Sequence, residues 1–341
     1  MTKRISVREV AHEAGVSISS VSRVLNDSGY ASPDVRIRVQ QAVARLGYEP
    51  DYAARHLRTG HSRTIGCLLP SIANPFVAIL LSEVERLAQA AGYSLLVGSS
   101  EHRSRDKELV AFFENRRLEG IIALPAHEYD PVAASPFATT KLPTVILDRD
   151  MGPDFDAVLI DHEAGMRQVM EYLLSLGHRR IALFAIGSQL RPGRAKLRSY
   201  RAALESAGLP FDDSLVYLTD SSLESARQPM QRMLQLDTPP TAIIAVGTQL
   251  LSGAVHVVRE AGMDIPRDMS VVAIGTMQTL ELMYPPVTAL RYNFQDSARA
   301  VVQLILERIE RTVPPQARTV IIPSDLILGS SCGPAPGNRA G

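Results

Sequence analysis

The 341-residue sequence has little cysteine, only Cys67 and Cys332. Two thiols cannot build a disulfide framework, and no Cys/His spacing matches a zinc site. Long apolar runs are missing as well. Stretches such as Phe76–Leu81 fall far short of the ~20 residues that a membrane span needs, and the chain enters charged sequence at Lys3-Arg4 without the apolar core of a signal peptide. A reducing, cytoplasmic location is expected. Net charge is zero, 36 Lys/Arg against 36 Asp/Glu, so the whole-chain balance points to no partner. Signatures of catalysis are equally scarce. No Gly-x-Gly-x-x-Gly or phosphate loop is present, no Gly-x-Ser-x-Gly nucleophile elbow is expected, and neither cysteine sits in a nucleophile motif. His178 belongs to a Gly-His-Arg-Arg turn that reads as structural. The expectation is a protein that is no enzyme and uses no metal or cofactor.

What is present is an ordinary globular composition, 45% hydrophobic and 21% charged, with length for two or three domains. Its charge is unevenly spread. Residues 1–63 hold ten Lys/Arg against six Asp/Glu, and the rest hold 26 against 30. A basic head on a mildly acidic body fits a nucleic-acid module joined to something else. Within the head, Val7, Val10, Ala11 and Ala14 make one helical stripe ending at Gly15. Ser17 can cap a second helix with Val21, Val24 and Leu25 inward. A third opens at Ser32-Pro33-Asp34 and buries Val35, Val39, Ala42, Val43 and Leu46. This is helix-turn-helix spacing. Ile18, Ser19, Ser22 and Arg23 lie off the buried stripe, where arginine can read guanine, an apolar group the thymine methyl, and serines phosphates. An ordinary trihelical bundle with a wet polar face fits the same spacing. Residues 48–63 read as a two-turn hinge helix after Pro50, too short to stand alone in water, or as a plain linker.

Together these motifs resemble the head and hinge of the LacI/GalR repressor family: Val10-Ala11 to Gly15-Val16-Ser17, Val21-Ser22-Arg23-Val24-Leu25-Asn26, Leu46-Gly47-Tyr48-Glu49-Pro50 and Ala54-Arg55-His56-Leu57-Arg58. The resemblance implies that Ser17–Asn26 enters the major groove and that Leu57 wedges into the minor groove. The DNA-binding residues it implies are Ser6, Ser17, Ile18, Ser19, Ser22, Arg23, Asn26, Ser32, Ala54, Arg55, Leu57 and Arg58. Asp51 stands where the family usually has Asn, which removes an amide donor from the hinge.

From Thr64 onward, short apolar runs (64–69, 93–97, 120–124, 144–147, 180–184, 241–246, 270–274) alternate with helical stretches (75–91, 105–117, 162–176, 195–207, 222–236, 250–261). Alternation of this kind means parallel sheets, and nearly 260 residues of it suggest two lobes. The body also resembles the family, through Asn74-Pro75-Phe76, Leu147-Asp148-Arg149, Leu176-Gly177-His178-Arg179-Arg180-Ile181 and Ile265–Val272 among others, so the likeness spans about residues 5–328. It implies an α/β body of two parallel-sheet lobes like a periplasmic binding protein of type I. The expected organisation is a head at 1–47, a hinge at 48–63, and an effector-binding and dimerisation domain at 64–328. Its N-lobe is about 64–161 and 292–323, and its C-lobe about 162–291 and 324–328. A flexible Gly/Pro/Ser-rich tail follows at 329–341. No leucine heptads follow Leu328, so a homodimer is expected.

Ligands of such sheets sit beyond the carboxyl ends of the strands. Effector candidates are therefore Ser71, Asn74, Phe76, Asp148, Arg149, Arg194, Lys196, Gly247, Thr248, Gly275 and Thr276, with Asp148 also readable as a structural partner. Lys196 stands where the family usually places an effector-clamping arginine. Gly247-Thr248 replaces an Asn-Asp pair and Ile274-Gly275 a Phe-Asp pair of the relatives. With those sugar-binding groups gone, Arg149, helped by Arg194 or Lys196, is expected to hold a small anion such as a sugar acid, keto-acid or phosphorylated metabolite. The reading is a ligand-responsive repressor of a catabolic operon, bound to a palindromic operator. A solute-binding protein or metabolic enzyme with an incidental helical head is the alternative.

Overall fold

The computed structural model describes residues 5–25, 29–48, 61–129, 135–219, 226–275, 280 and 283–337. The chain forms two compact units, residues 1–62 and 63–341.

In the first unit α1 (Val7–Ala14), α2 (Ile18–Leu25) and α3 (Pro33–Leu46) enclose a core of Val10, Ala14, Val21, Val24, Val39, Ala42 and Tyr48. Each start is capped by a side chain, at Ser17 and Ser32 as the sequence suggests and at Ser6 in addition. Ser6 and Glu9 form a reciprocal capping box, Ser17 Oγ accepts the Ser20 N–H at 3.1 Å, and Ser32 accepts that of Val35. Gly15 takes φ 62°, the left-handed turn between the first two helices that a Cβ would disfavour.

The second unit carries two six-stranded sheets. Its elements are β1 (Thr64–Leu69), α4 (Pro75–Ala90), β2 (Ser94–Ser99), α5 (Arg103–Asn115), β3 (Gly120–Ala123), α6 (Pro136–Thr139), β4 (Thr144–Leu147) and β5 (Asp156–Ile160). There follow α7 (His162–Ser175), β6 (Ile181–Ile186), α8 (Arg191–Ser206), β7 (Val216–Thr219), α9 (Arg227–Leu234), β8 (Ala242–Val246), α10 (Thr248–Glu260) and β9 (Ser270–Gly275). Last come β10 (Thr288–Tyr292), α11 (Phe294–Ile309), β11 (Thr319–Ile322) and β12 (Ser324–Ile327). Sheet order is β11-β5-β4-β3-β1-β2 in one lobe and β12-β10-β9-β8-β6-β7 in the other. Among the described residues, only β12 runs antiparallel to its neighbour. Runs such as Ile243-Ile244-Ala245 are buried on both faces, as a parallel sheet under crossover helices requires. The chain passes between the lobes after β5, after β10 and between β11 and β12.

The expected flexible tail is a correction. Residues 329–337 lie docked on the second sheet. Ser331 is fully buried; its Oγ donates to Val271 O at 2.6 Å and accepts the Thr288 N–H at 2.8 Å, and Ala335 N–H reaches Leu176 O at 2.9 Å. His178, also fully buried, contacts Thr241 Oγ1, Ser270 Oγ and Gly333 O. Small and polar residues suit this coil because its backbone and hydroxyls satisfy strand groups that would otherwise be buried without partners. The tail also contains the letters Gly329-Ser330-Ser331-Cys332-Gly333, so the Gly-x-Ser-x-Gly pattern does occur. It forms no elbow: Ser331 is buried and hydrogen-bonded in coil, and no helix follows it among the described residues. Truncation after Leu328 is expected to cost at least ~2 kcal/mol in urea unfolding, because several buried groups lose partners worth roughly 1–3 kcal/mol each. An unchanged midpoint would mean the docking contributes nothing.

Candidate functional site

On the head, α2 turns Ile18, Ser19 and Arg23 to solvent, with Ile18 49% exposed, while Ser22 is half-buried. Ser17 Oγ lies 2.7 Å from Ser19 Oγ, and Arg23 folds along its own helix, donating to Ser19 O at 3.4 Å and Tyr30 O at 3.2 Å. These bonds hold the guanidinium beside the exposed face. Ser6 and Ser32 serve as caps. Asn26, Asp51, Ala54, Arg55, Leu57 and Arg58 lie outside the described residues.

In the body, a crevice opens where strand order reverses. β1 lies between β2 and β3, and β6 between β7 and β8; loops leaving such neighbours diverge beyond the carboxyl ends. Pro70 and Leu124 line it just past β1 and β3, and Ile186 and Val246 at the ends of β6 and β8. Asn74 caps α4 by accepting the Phe76 N–H at 3.0 Å. The Phe76 ring lies 5.8 Å from that of Tyr292 and 5.3 Å from that of Phe294, edge-on to both.

A buried polar cluster forms one part of the lining. Asp148 follows β4 with φ 47°, a sparsely populated conformation for a residue with a Cβ. It is held from all sides. Its N–H donates to Val158 O at 2.8 Å, and its carboxylate accepts the Ile160 N–H, an Arg191 N–H at 2.9 Å and the His162 ring at 2.8 Å. Lys196 Nζ donates to His162 Nδ1 at 3.0 Å and to Pro192 O at 3.1 Å. These contacts make His162 a neutral ring, accepting at Nδ1 and donating from Nε2. Burial lowers its pKa to about 4, aided by Lys196 and opposed by Asp148. Burial likewise brings Lys196 down to about 7, against the pull of Asp148. Burial alone would raise Asp148, but His162, Arg149 and Lys196 outweigh it and hold the carboxyl below its ordinary value. Asp148 belongs to the first lobe and Arg191, His162 and Lys196 to the second, so the cluster ties the lobes together. Glu128 adds to this, accepting the Arg191 N–H at 2.7 Å and pairing with Arg194 at 2.6 Å. α8 reaches this place only because residue 193 is glycine. A Cβ there would sit 2.1 Å from Gly187 O.

Arg149 is 8% exposed and lines the same cleft. Its Nε donates to Pro125 O at 2.8 Å and its Nη1 to Asp148 O at 2.9 Å. Among the described residues it forms no ion pair, since Asp148 is spent on His162 and Arg191. Burial pulls its pKa down, against the nearby charges of Asp148 and Glu128.

Of the other expected effector residues, Asn74, Phe76, Asp148, Lys196, Gly247, Thr248 and Gly275 line the cleft with Arg149. Two expectations are corrected. Ser71 is absent from the lining and its Oγ accepts the Ala73 N–H instead. Arg194 faces away, toward Glu128, Asp150 and the carbonyls of Ser188 and Gln189, because α8 begins at Arg191 and places it one position off the buried stripe. Thr276 lies outside the described residues. His162, Arg191 and Tyr292 were missed. Pro192 in the first turn of α8 was the available signal for an earlier helix start, and so for Arg191.

A family model described as bacterial regulatory proteins, lacI family, matches residues 6–51, and one described as a periplasmic binding protein-like domain matches 170–332. The HTH-type transcriptional regulator DegA of Bacillus subtilis is 28% identical over 335 residues, covering 97% of this chain and 99% of DegA. The ribose operon repressor of Escherichia coli is 27% identical over 331 residues, covering 96% and 99%. The chain thus joins a lacI-family DNA-binding domain to a periplasmic-binding-protein-like domain, as its full-length relatives among transcriptional regulators do. It shares its fold with the Lac repressor dimer bound to operator and the anti-inducer ONPF, at TM-score 0.87 and 24% identity over 97% of this chain and 100% of that one. The complex of the transcriptional regulator CelR with cellobiose matches at TM-score 0.69 and 25% identity, over 96% and 100%. No helix among the described residues is long and apolar enough to cross a membrane.

Proposed function

We propose that this chain is a LacI-family regulator that represses a catabolic operon, binding a palindromic operator as a homodimer and responding to a small anionic effector held in the cleft by Arg149 with Lys196. The observation that carries the effector reading is Arg149: a buried cation without an ion pair among the described residues, beside a second cation and a carboxylate already engaged. Such a charge is costly unless a ligand supplies its counterpart. Relatives named for ribose and cellobiose make a sugar-like ligand the starting point, and the loss of acceptors at Gly247 and Gly275 moves it toward an anion. Arg194 takes no part.

The exposed face of α2 supports DNA reading, one recognition helix per protomer and two half-sites per dimer. Exposed apolar side chains at Ile72 (57%), Val97 (40%) and Tyr284 (86%) support self-association of the body. With an operator selected from random DNA by the full chain, Arg23→Ala is expected to lose ~1–3 kcal/mol and to relax preference at one base pair. Unchanged affinity and preference in gel shifts would remove Arg23 from the interface. Residues 63–341 alone should stay folded and dimeric and bind effector without DNA. A monomeric fragment in sedimentation would place the dimer contacts elsewhere.

A further inference from the structure

The walls of the cleft are mostly apolar. Phe76 and Leu124 face it from one lobe, and Ile186, Val246, Leu250 and Ile274 from the other. Its polar side chains are few and mostly committed. Both nitrogens of His162 are used, by Asp148 and Lys196. Both oxygens of Asp148 are used, by His162, Arg191 and the Ile160 N–H. Asn74 Oδ1 is consumed as a helix cap. On the second lobe, strand ends at 246–247 and 274–275 offer Val, Gly, Ile and Gly. Thr248, the exposed Gln249, the Asn74 amide nitrogen and the Tyr292 hydroxyl remain for hydrogen bonding, too few and too scattered to match a hydroxyl on every carbon of a sugar. Arg149 keeps donor capacity beyond its two carbonyl bonds.

A polyhydroxylated ligand would leave several hydroxyls facing hydrocarbon, each such loss weakening binding about tenfold. A ligand with one charged end meets no such penalty. Its carboxylate satisfies Arg149, and its body replaces water along the Phe76 and Tyr292 rings and the aliphatic walls. We infer that the effector is a compact amphipathic monocarboxylate, with its acid on Arg149 and an aliphatic or aromatic body against the walls, and that it is not a sugar acid. The inference rests on the anionic reading above and narrows it.

Calorimetry on the full chain with phenylacetate, 4-methylpentanoate, D-gluconate, phenylacetamide and D-ribose separates the two readings. At least one apolar acid should bind tenfold or more tighter than gluconate, and phenylacetate should bind tighter than its amide. Arg149→Gln should level phenylacetate with phenylacetamide. Val246→Asn, at a half-buried wall position, should weaken the apolar acids and improve gluconate. Tighter binding of gluconate would overturn this inference and leave the anionic reading standing. Ribose or the amide bound as tightly as the acids would overturn both. Failure of every acid to bind at millimolar concentration also overturns the inference.

Discussion

Arg149→Ala is expected to abolish the effector response while operator affinity stays unchanged. Neither buried cation of the cleft, Arg149 nor Lys196, has a carboxylate within ion-pair distance among the described residues, but Lys196 is tied to His162 and Pro192 O whereas the guanidinium keeps N–H donors beyond its two carbonyl bonds. A charge-assisted hydrogen bond contributes roughly 1.5–3 kcal/mol, so losing a two-pronged grip should weaken the effector by about a hundredfold or more. The α2 face lies in the other compact unit and keeps its residues. Arg149→Lys should recover part of the loss, because an ammonium keeps the charge without the planar fork. Gel shifts with rising effector decide the matter. A variant that still responds at the parental effector concentration would remove Arg149 from the site.

Asp148→Ala should have the largest effect on stability, ~3–5 kcal/mol, because it strips the counter-charge from Arg191 and the acceptor from His162 in a buried cluster. Urea unfolding followed by circular dichroism measures it, and a loss below ~1 kcal/mol would mean the cluster relaxes to water on cavity formation. The same cluster sets a pH dependence. His162 titrates near 4 in the fold against 6.5 ordinarily, and Lys196 near 7 against 10.5. Between each pair of values the unfolded chain holds a proton that the folded one does not, so stability rises with pH there. The unfolding free energy should climb from pH 4 to 6.5 and again from 7 to 9, above which the raised pKa of the buried Cys67 thiol acts in the opposite direction. Asp148, held below its ordinary value, acts in the same direction. Its contribution is complete above the unfolded carboxyl pKa and is lost as pH falls through the folded one. Lys196→Met should flatten the alkaline limb and leave the acid limb in place. An alkaline limb that persists in Lys196→Met would assign it to another group.

The head was legible almost residue by residue. Its determinants are local: capping hydroxyls at Ser6, Ser17 and Ser32, a left-handed glycine at Gly15, and stripes of 3.6-residue period. In the body the buried strands β1, β3, β4, β6, β8 and β9, and the edge strand β2, announced themselves as apolar runs. β5, β7, β10, β11 and β12 did not. β7, β11 and β12 are sheet edges whose pattern is broken by half-exposed residues, and β5 and β10 carry Asp156 and Arg291 within them. Arg149 could be picked out because it follows a strand at the carboxyl end of the sheet, and Lys196 because the family resemblance places a clamping cation there; the helix it stands on starts earlier than expected, at Arg191. Their partners could not. Asp148 meets His162 across 14 residues and Arg191 across 43, and it does so between lobes. Sequence by itself therefore determined what depends on neighbours within a few turns: most of the helices though not Phe294–Ile309, the caps at Ser17 and Ser32, the buried strands and the kind of charge near the cleft. Tertiary structure alone decided which cation is paired with a carboxylate and which is held by carbonyl oxygens only. A charge finds its counterpart by distance and burial, and here those are set by the register of α8, the turn at Asp148 and the meeting of two sheets, none of which is written in local periodicity.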